Sequence, residues 1–508
     1  MSNLTTAEAQ QVGDDPNSGF GSKGYRTYVM GSLLLVYVFN FIDRSIINIL
    51  TEPIKESFDV EDWQMGLLGG PMFAVLYTFL GIPLARVAER FNRVWIIALS
   101  VALWSLMTAL CGLAPTFLMM MIYRIGVGIG EAGCTPPAQS LIADYYKPSS
   151  RATAVSVYAL GVPFGGMLAA LFGGTIAEQF DGPKIEAALI GWGMTDLANA
   201  YDWQNFEGWR AAFVLVGLPG LLVALLVRLT VKEPPRGYTD PPNLQKLEPV
   251  SFGAALKLLG TKATYWHVVF GATIASFIGY GVAQFSTSFF VRTHDLSLQT
   301  AALLFGIVVG LMASIGVFSS GFLADRMSKR HPRALAWLPA LGMTASVPLY
   351  ALGFLADNVY LALPPLMGAA VLHYFYLGPL YAVAGGVVDS RTRATSVAIA
   401  LFIVNLLGYG LGPLLIGILS TALKGMFLSG FDLGLTLEIC KATDDLSEAQ
   451  QAACSSADAR GLQWSLIIFC CGYAWASLHY LIAGRTLVRD MITTTSQQSK
   501  EPHETAEA

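Results

Sequence analysis

Charge is scarce in this chain: of its 508 residues only 13% are Asp, Glu, Lys or Arg, while 54% are hydrophobic. Soluble domains carry about 25% charged residues, so a protein this size could not cover a water-facing surface. The excess apolar area must face lipid. Histidine and cysteine are also sparse, six of each; no Cys/His spacing suits zinc and no hydrolase triad is present. The net charge of −4 is spread thinly, and no Lys/Arg run offers a phosphate-binding face. These absences argue against a metal site, a bound cofactor, an enzyme and a nucleic-acid partner. No apolar stretch opens the chain: Met1 to Ser22 is polar and acidic, so no cleavable signal peptide is expected. Residues 1–27 and 488–508 read as disordered tails.

What is present is long apolar runs. A helix needs roughly 20 apolar residues to cross a bilayer of about 30 Å. Twelve stretches qualify: 28–50, 65–87, 94–114, 117–143, 153–177 and 210–231, then 265–291, 299–324, 334–356, 360–387, 395–423 and 463–487. The expectation is an all-α integral membrane protein with a six-helix bundle at 28–231 and another at 265–487. The cytoplasmic linker 232–264 between them is rich in proline at 234, 235, 241 and 242, which opposes regular helix, and Ser251–Gly260 has room for a short interfacial helix. Orientation follows Lys and Arg, which favour the cytoplasm. Of the 31 such residues, Arg44 and Arg124 lie inside spans. Lys55, Lys184, Arg210, Arg292, Lys424, Lys441 and Arg460 would lie outside the cell, and the other 22 inside, if both termini are cytoplasmic.

The halves repeat. Arg151-Ala-Thr-Ala-Val-Ser-Val follows Asp144, and Arg393-Ala-Thr-Ser-Val-Ala-Ile follows Asp389; each copy opens the fifth span of its half. Ala85-Arg-Val-Ala-Glu89-Arg90-Phe-Asn-Arg93 echoes Gly321-Phe-Leu-Ala-Asp325-Arg326-Met-Ser-Lys329, each closing the second span. A duplicated bundle with a site near the bilayer midplane is a transporter architecture.

The run Gly321 to Arg330 resembles the loop signature of the major facilitator superfamily, G-x-x-x-D-R-x-x-R/K-R/K; the first-half copy departs from it at Ala85 and Glu89. Arg124-Ile-Gly-Val-Gly-Ile-Gly130 resembles the superfamily's fourth-helix motif, and Gly161-Val-Pro-Phe-Gly-Gly166 its fifth-helix motif. Asn40-Phe-Ile-Asp43-Arg44, Arg124 to Ala132 and Leu141-Ile-Ala-Asp144-Tyr-Tyr are similar to the spinster family, in its bacterial form. The resemblance implies the major facilitator fold and alternating access in a cell inner (plasma) membrane. Animal spinster members carry sphingosine-1-phosphate or lysophospholipids, which implies an amphipathic, lipid-like substrate. It also implies gating roles for Asp325, Arg326 and Arg330, for Glu89 and Arg90, and for Arg393. A loop carboxylate there can accept from the free amides of a helix N-terminus, and the basic residues supply its partners.

Asp43, Arg44, Arg124 and Glu131 lie deep within spans. A charge near the bilayer centre costs at least ~2.5 kcal/mol on insertion scales, so it faces the bundle interior and finds a partner. Arg124 and Glu131 share a helix face but stand about 10 Å apart along the axis, so each needs another helix or water. By depth, Asp43 suits Arg124, and Arg44 suits Glu131. Glu131 and then Asp43 are the candidate proton carriers, since a neighbouring guanidinium alters how firmly a carboxylate holds its proton. Arg44 and Arg124 are candidates for an anionic headgroup, which guanidinium grips with two parallel bonds. The alternative is a fixed ion-pair network locking the first and fourth spans.

Weaker signals remain. His373 and His479 titrate near neutrality as free side chains, yet a lone membrane histidine more often makes one structural hydrogen bond. Asn405, Gln284, Ser286 and Thr287 suit either a cavity lining or interhelical bonds. The glycine run of the fourth span follows no strand and is not a dinucleotide fingerprint. Cys440 and Cys454 fall in the external loop 425–462, where an oxidising compartment permits a disulfide. The expected function is a monomeric, proton-coupled secondary transporter of a lipid-like substrate. A carrier of small hydrophilic organic anions is the alternative within transport, and a non-transporting membrane receptor the alternative outside it.

Overall fold

The computed structural model describes residues 19–200, 203–239, 251–389, 392–431, 433–441 and 446–491. The tails before 19 and after 491 and the linker stretch 240–250 therefore lie outside the described residues. Twelve helices are long and apolar enough to cross a membrane: Lys23–Ile49, Asp62–Arg90, Arg93–Gly112, Phe117–Tyr145, Thr153–Gln179, Gly208–Thr230, Ala263–His294, Leu298–Ser328, Ala334–Phe354, Val359–Gly386, Thr395–Leu428 and Glu448–Asp490. No strand occurs among the described residues. Polar side chains start several spans by accepting from otherwise unpaired amides: Ser22 from Tyr25 N, Asn92 from Trp95 N, Thr116 from Met119 N and Asn358 from Tyr360 N. Ser251 likewise caps the short helix Phe252–Gly260.

Three features depart from a reading by hydropathy alone. The twelfth span begins at Glu448 rather than 463, because the polar segment 448–462 is rich in Ala, with two Gln, which favour helix regardless of hydropathy. A separate helix, Thr51–Phe58, follows the first span. The second span is interrupted at Gly70, where Pro71 supplies no amide, so helix Asp62–Gly69 hands over to Pro71–Arg90.

The chain divides into two compact units. One comprises residues 1–246, 282–311 and 413–462; the other comprises 247–281, 312–412 and 463–508. This division does not follow the linker between the halves. Parts of the seventh, eighth, eleventh and twelfth spans belong to the first unit, because close glycine contacts and buried ion pairs bind them to it. Gly66 is one such contact: a Cβ there would lie 2.3 Å from the carbonyl oxygen of Pro413. Gly417 is another, where a Cβ would meet the main-chain oxygen of Asp62 at 2.3 Å. Only glycine allows backbones this near.

Candidate functional site

Among the described residues the first unit holds three groups of buried charge, around Glu131, Arg292 and Arg93. The first lies between the first and fourth spans. Arg44 Nε donates to Glu131 Oε2 at 2.5 Å, the Glu131 side chain being fully buried. The Arg44 guanidinium lies over three rings, Phe41 at 5.1 Å, Phe73 at 5.0 Å and Tyr77 at 4.4 Å. Arg124 stacks on the same Phe73 ring at 5.0 Å, and its Nη1 donates to the main-chain oxygen of Asp43 at 3.0 Å. The Asp43 carboxylate is thus not paired with Arg124 in the way depth alone implies; Phe73 holds the guanidinium against the helix backbone instead. Arg124 Nε and Nη2 are buried without a hydrogen-bonding partner among the described residues, while the Asp43 carboxylate and Glu131 Oε1 have only loose contacts, with Thr108 and Asn40 respectively.

That set is unusual. Buried polar atoms are nearly always satisfied, and each orphan costs about 1–3 kcal/mol, more if charged. Here donors and acceptors of both signs are incompletely satisfied around one place: Asp43 lies within electrostatic reach of Glu131 and Arg124. Such a constellation can take up an anion on Arg124, a proton on either carboxyl group, or water.

The second group sits at the distal end of the unit, where the first span finishes at Ile49. Arg292, from the seventh span, grips two carboxylates at once. It meets Glu52 through Nε and Nη2 at 2.9 and 2.7 Å, and Asp62 through Nη1 and Nη2 at 2.8 and 2.7 Å. Asp458 is 3.2 Å from Arg292 Nη1 and accepts from Lys55 at 3.0 and 3.1 Å. Lys55 also reaches Asp62 at 3.0 Å. Lys424 bridges Asp458 at 2.9 Å and Glu61 at 3.4 Å, and Ser420 donates to Asp62 at 2.6 Å. Burial acts to lower the Lys55 amine, as does Arg292, but Asp458, Asp62 and Glu52 outweigh both and hold it above its ordinary value. This cluster joins helix Thr51–Phe58 and the start of the second span to the seventh, eleventh and twelfth spans. None of its members stood out in the sequence, where Lys55, Arg292 and Lys424 read only as charges setting orientation. Each flanks a span end, and nothing but the fold brings them together.

Beside it Cys440 and Cys454 are joined by a disulfide. It pins the loop to the first turns of the twelfth span, next to Lys441, which lies 3.9 Å from Glu61.

The loop-signature residues behave differently. Glu89 and Arg90, and likewise Asp325, Arg326 and Arg330, are exposed and form no ion pair among the described residues. Arg393 donates Nε to the Gly385 carbonyl at 3.0 Å. The buried ion pairs of the first-half signature belong to Arg93, three residues beyond Arg90: it meets Asp144 at 2.5 Å and Glu233 at 2.6 Å, and donates to the Pro234 carbonyl at 3.0 Å. Arg93 thereby ties the start of the linker to the fourth span. Of the other polar candidates, Gln284 donates to Thr51 at 2.9 Å, and His479 Nδ1 faces His267 Nδ1 at 3.1 Å.

The sequence matches the Major Facilitator Superfamily over residues 33–428. A protein described as an MFS-type efflux pump from Mycolicibacterium smegmatis is 30% identical over 399 residues, 78% of this chain and 84% of that protein. Protein spinster homolog 1 of Rattus norvegicus is 27% identical over 455 residues, 82% of this chain and 78% of that one. Among solved structures, a bacterial homolog to the human lysosomal transporter spinster, in an inward-facing and unoccupied conformation, is 41% identical. It aligns over 93% of this chain and 100% of its own, with a TM-score of 0.85. The same homolog in an inward-facing and occupied conformation gives 40% and 0.83.

Proposed function

From the premise that this chain belongs to the major facilitator superfamily, as a twelve-span transporter of the spinster type and not an enzyme, we propose that it moves an amphipathic, lipid-like anion by proton-coupled alternating access. The observation that carries this reading is the set of incompletely satisfied buried groups around Asp43, Arg124 and Glu131. Arg124 offers two unfilled N–H groups to a headgroup oxygen. The part-buried rings of Phe41 and Tyr77 beside Arg44 offer apolar surface near these charges, which favours a lipid-like substrate over a small hydrophilic anion.

Glu131 carries the proton. While Arg44 stays against it the carboxylate is charge-paired; once Arg44 turns to a substrate anion, a proton replaces it. Asp43 takes a second proton or relays the first. The Arg292 cluster is the gate on the extracytoplasmic side, and its ion pairs must part for that side to open. Both termini are cytoplasmic, the membrane is the bacterial plasma membrane, and one chain supplies the whole pathway as a monomer.

Reconstituted vesicles test this. Labelled lysophospholipid uptake should be driven by an imposed proton gradient, and Glu131→Gln should abolish the gradient-driven part while leaving expression intact. Gradient-driven flux unchanged in that variant would remove Glu131 from the mechanism. Uptake competed by small carboxylates but not by lysolipids would favour the hydrophilic anion instead.

A further inference from the structure

The second unit contains a buried polar gap that the transport reading does not use. His373 ends the first helical segment of the tenth span, just before a 3-10 turn at Tyr374–Tyr376. It is 4% exposed, and Tyr473 of the twelfth span is fully buried. The Nδ1 atom of His373 is occupied, 2.9 Å from the Tyr350 hydroxyl and 3.3 Å from the Ala369 carbonyl. Its Nε2 has no partner among the described residues, and the hydroxyl of Tyr473 has only a loose contact with Tyr350. Packing fixes both: the His373 ring lies 5.2 Å from the Tyr473 ring and 4.1 Å from that of Tyr374, and Tyr473 stacks on Tyr350 at 5.8 Å.

The two atoms converge on one place. A Cβ added at Gly279 of the seventh span would find only two atoms within 4 Å, His373 Nε2 at 3.5 Å and the Tyr473 hydroxyl at 3.7 Å. The missing side chain of Gly279 therefore leaves a methyl-sized space bounded by the unfilled His373 Nε2 and the incompletely satisfied Tyr473 hydroxyl. Among the described residues the groups acting on His373 and Tyr473 are tyrosines, the Cys470 thiol and main-chain atoms, with no carboxylate, Lys or Arg. An ion would find no counter-charge there, whereas a hydroxyl, which both donates and accepts, satisfies either tautomer of His373 together with Tyr473.

We propose that the gap beside Gly279 is a binding site for one neutral hydroxyl oxygen, held between His373 Nε2 and the Tyr473 hydroxyl. The oxygen is that of a resident water or of a hydroxyl on the transported molecule. Only the second source rests on the transport reading.

Gly279→Ala tests it. The added methyl stands at ordinary van der Waals distance from both atoms, so it fills the gap without a clash. Alanine for glycine within a helix otherwise stabilises, which makes a loss diagnostic. If water fills the site, the melting midpoint of the purified protein falls by roughly 3 °C or more, and the fall shrinks in a Tyr473→Phe background. If a substrate hydroxyl fills it, the midpoint holds or rises, and KM for a hydroxyl-bearing lysophospholipid increases about tenfold, the worth of one hydrogen bond, with kcat unchanged. A deoxy analogue would show no such increase. A raised or unchanged midpoint together with an unchanged KM would mean the gap is dry and would overturn the proposal. A wild-type protein that carries no lysolipid removes only the substrate arm, because the melting arm needs no transport.

Discussion

Arg292 and Asp62 meet through two parallel N–H···O contacts of 2.7 and 2.8 Å, with side chains 6% and 2% exposed. Two groups so buried are held by geometry and mutual charge, and removing one strands the other. Breaking such a pair costs about 3–5 kcal/mol. Asp62→Asn should therefore loosen the distal joint. Spin labels placed across it, on the second and eleventh spans, should report a longer distance population that is sparse in the parent protein. An unchanged distance distribution would show that the pair does not hold the joint.

Gly417→Ala probes the same joint by sterics alone, since the new methyl would stand 2.3 Å from the Asp62 main-chain oxygen. The helices must separate by several tenths of an ångström or more. Labelling of a cysteine placed at Ser420 should speed up at least several-fold, and equal rates in parent and variant would contradict the close approach.

The pH behaviour of Lys55 follows from its raised amine. A group whose folded value lies above its unfolded value of 10.5 gives stability that is fully present below that value and lost only as pH climbs through the folded one. Lys55→Met should lower the melting midpoint equally at pH 6 and pH 9. A penalty confined to one of these conditions would place the titration elsewhere.

Arg44→Ala should destabilise more than Glu131→Gln does, because it leaves a buried carboxylate alone, at about 3–5 kcal/mol. The double variant should recover part of that loss. Melting curves of the four proteins give the coupling energy, and strict additivity would mean that the 2.5 Å contact contributes nothing.

Reduction of the Cys440–Cys454 bridge, which closes a segment with a sequence separation of 14, should cost up to about 3 kcal/mol. The loss should appear first as faster hydrogen exchange in residues 433–441. Identical exchange with and without reductant would argue that the loop is held by its apolar contacts with Ala453 and Ala457 alone.

How much of this was legible beforehand differs from residue to residue. The helix ends at Ile49, Gly112 and Phe354 fall within about two residues of where hydropathy places them, since lipid exposure leaves an apolar run little choice but helix. The twelfth span escaped that test over 448–462, because helix there is set by propensity and not by apolarity. Asp43, Arg44, Arg124 and Glu131 could be singled out because charge inside a span is costly and therefore rare. Glu52, Asp62, Arg292, Lys424 and Asp458 could not, because a charge at a span end is what any membrane protein shows.

The order of apolar runs, the duplicated motifs and the four charges within spans belong to the sequence, for each is a local property that a bilayer makes decisive. Which charge faces which is different. Arg292 meets Asp62 across 230 residues of chain, Arg124 takes a backbone oxygen and not a carboxylate, and His373 shares its gap with Tyr473 and Gly279. Those partnerships were decided only when the helices packed, because hydrogen bonds of about 3 Å depend on the rotation and depth of each helix, and a hydrophobic pattern leaves both undetermined.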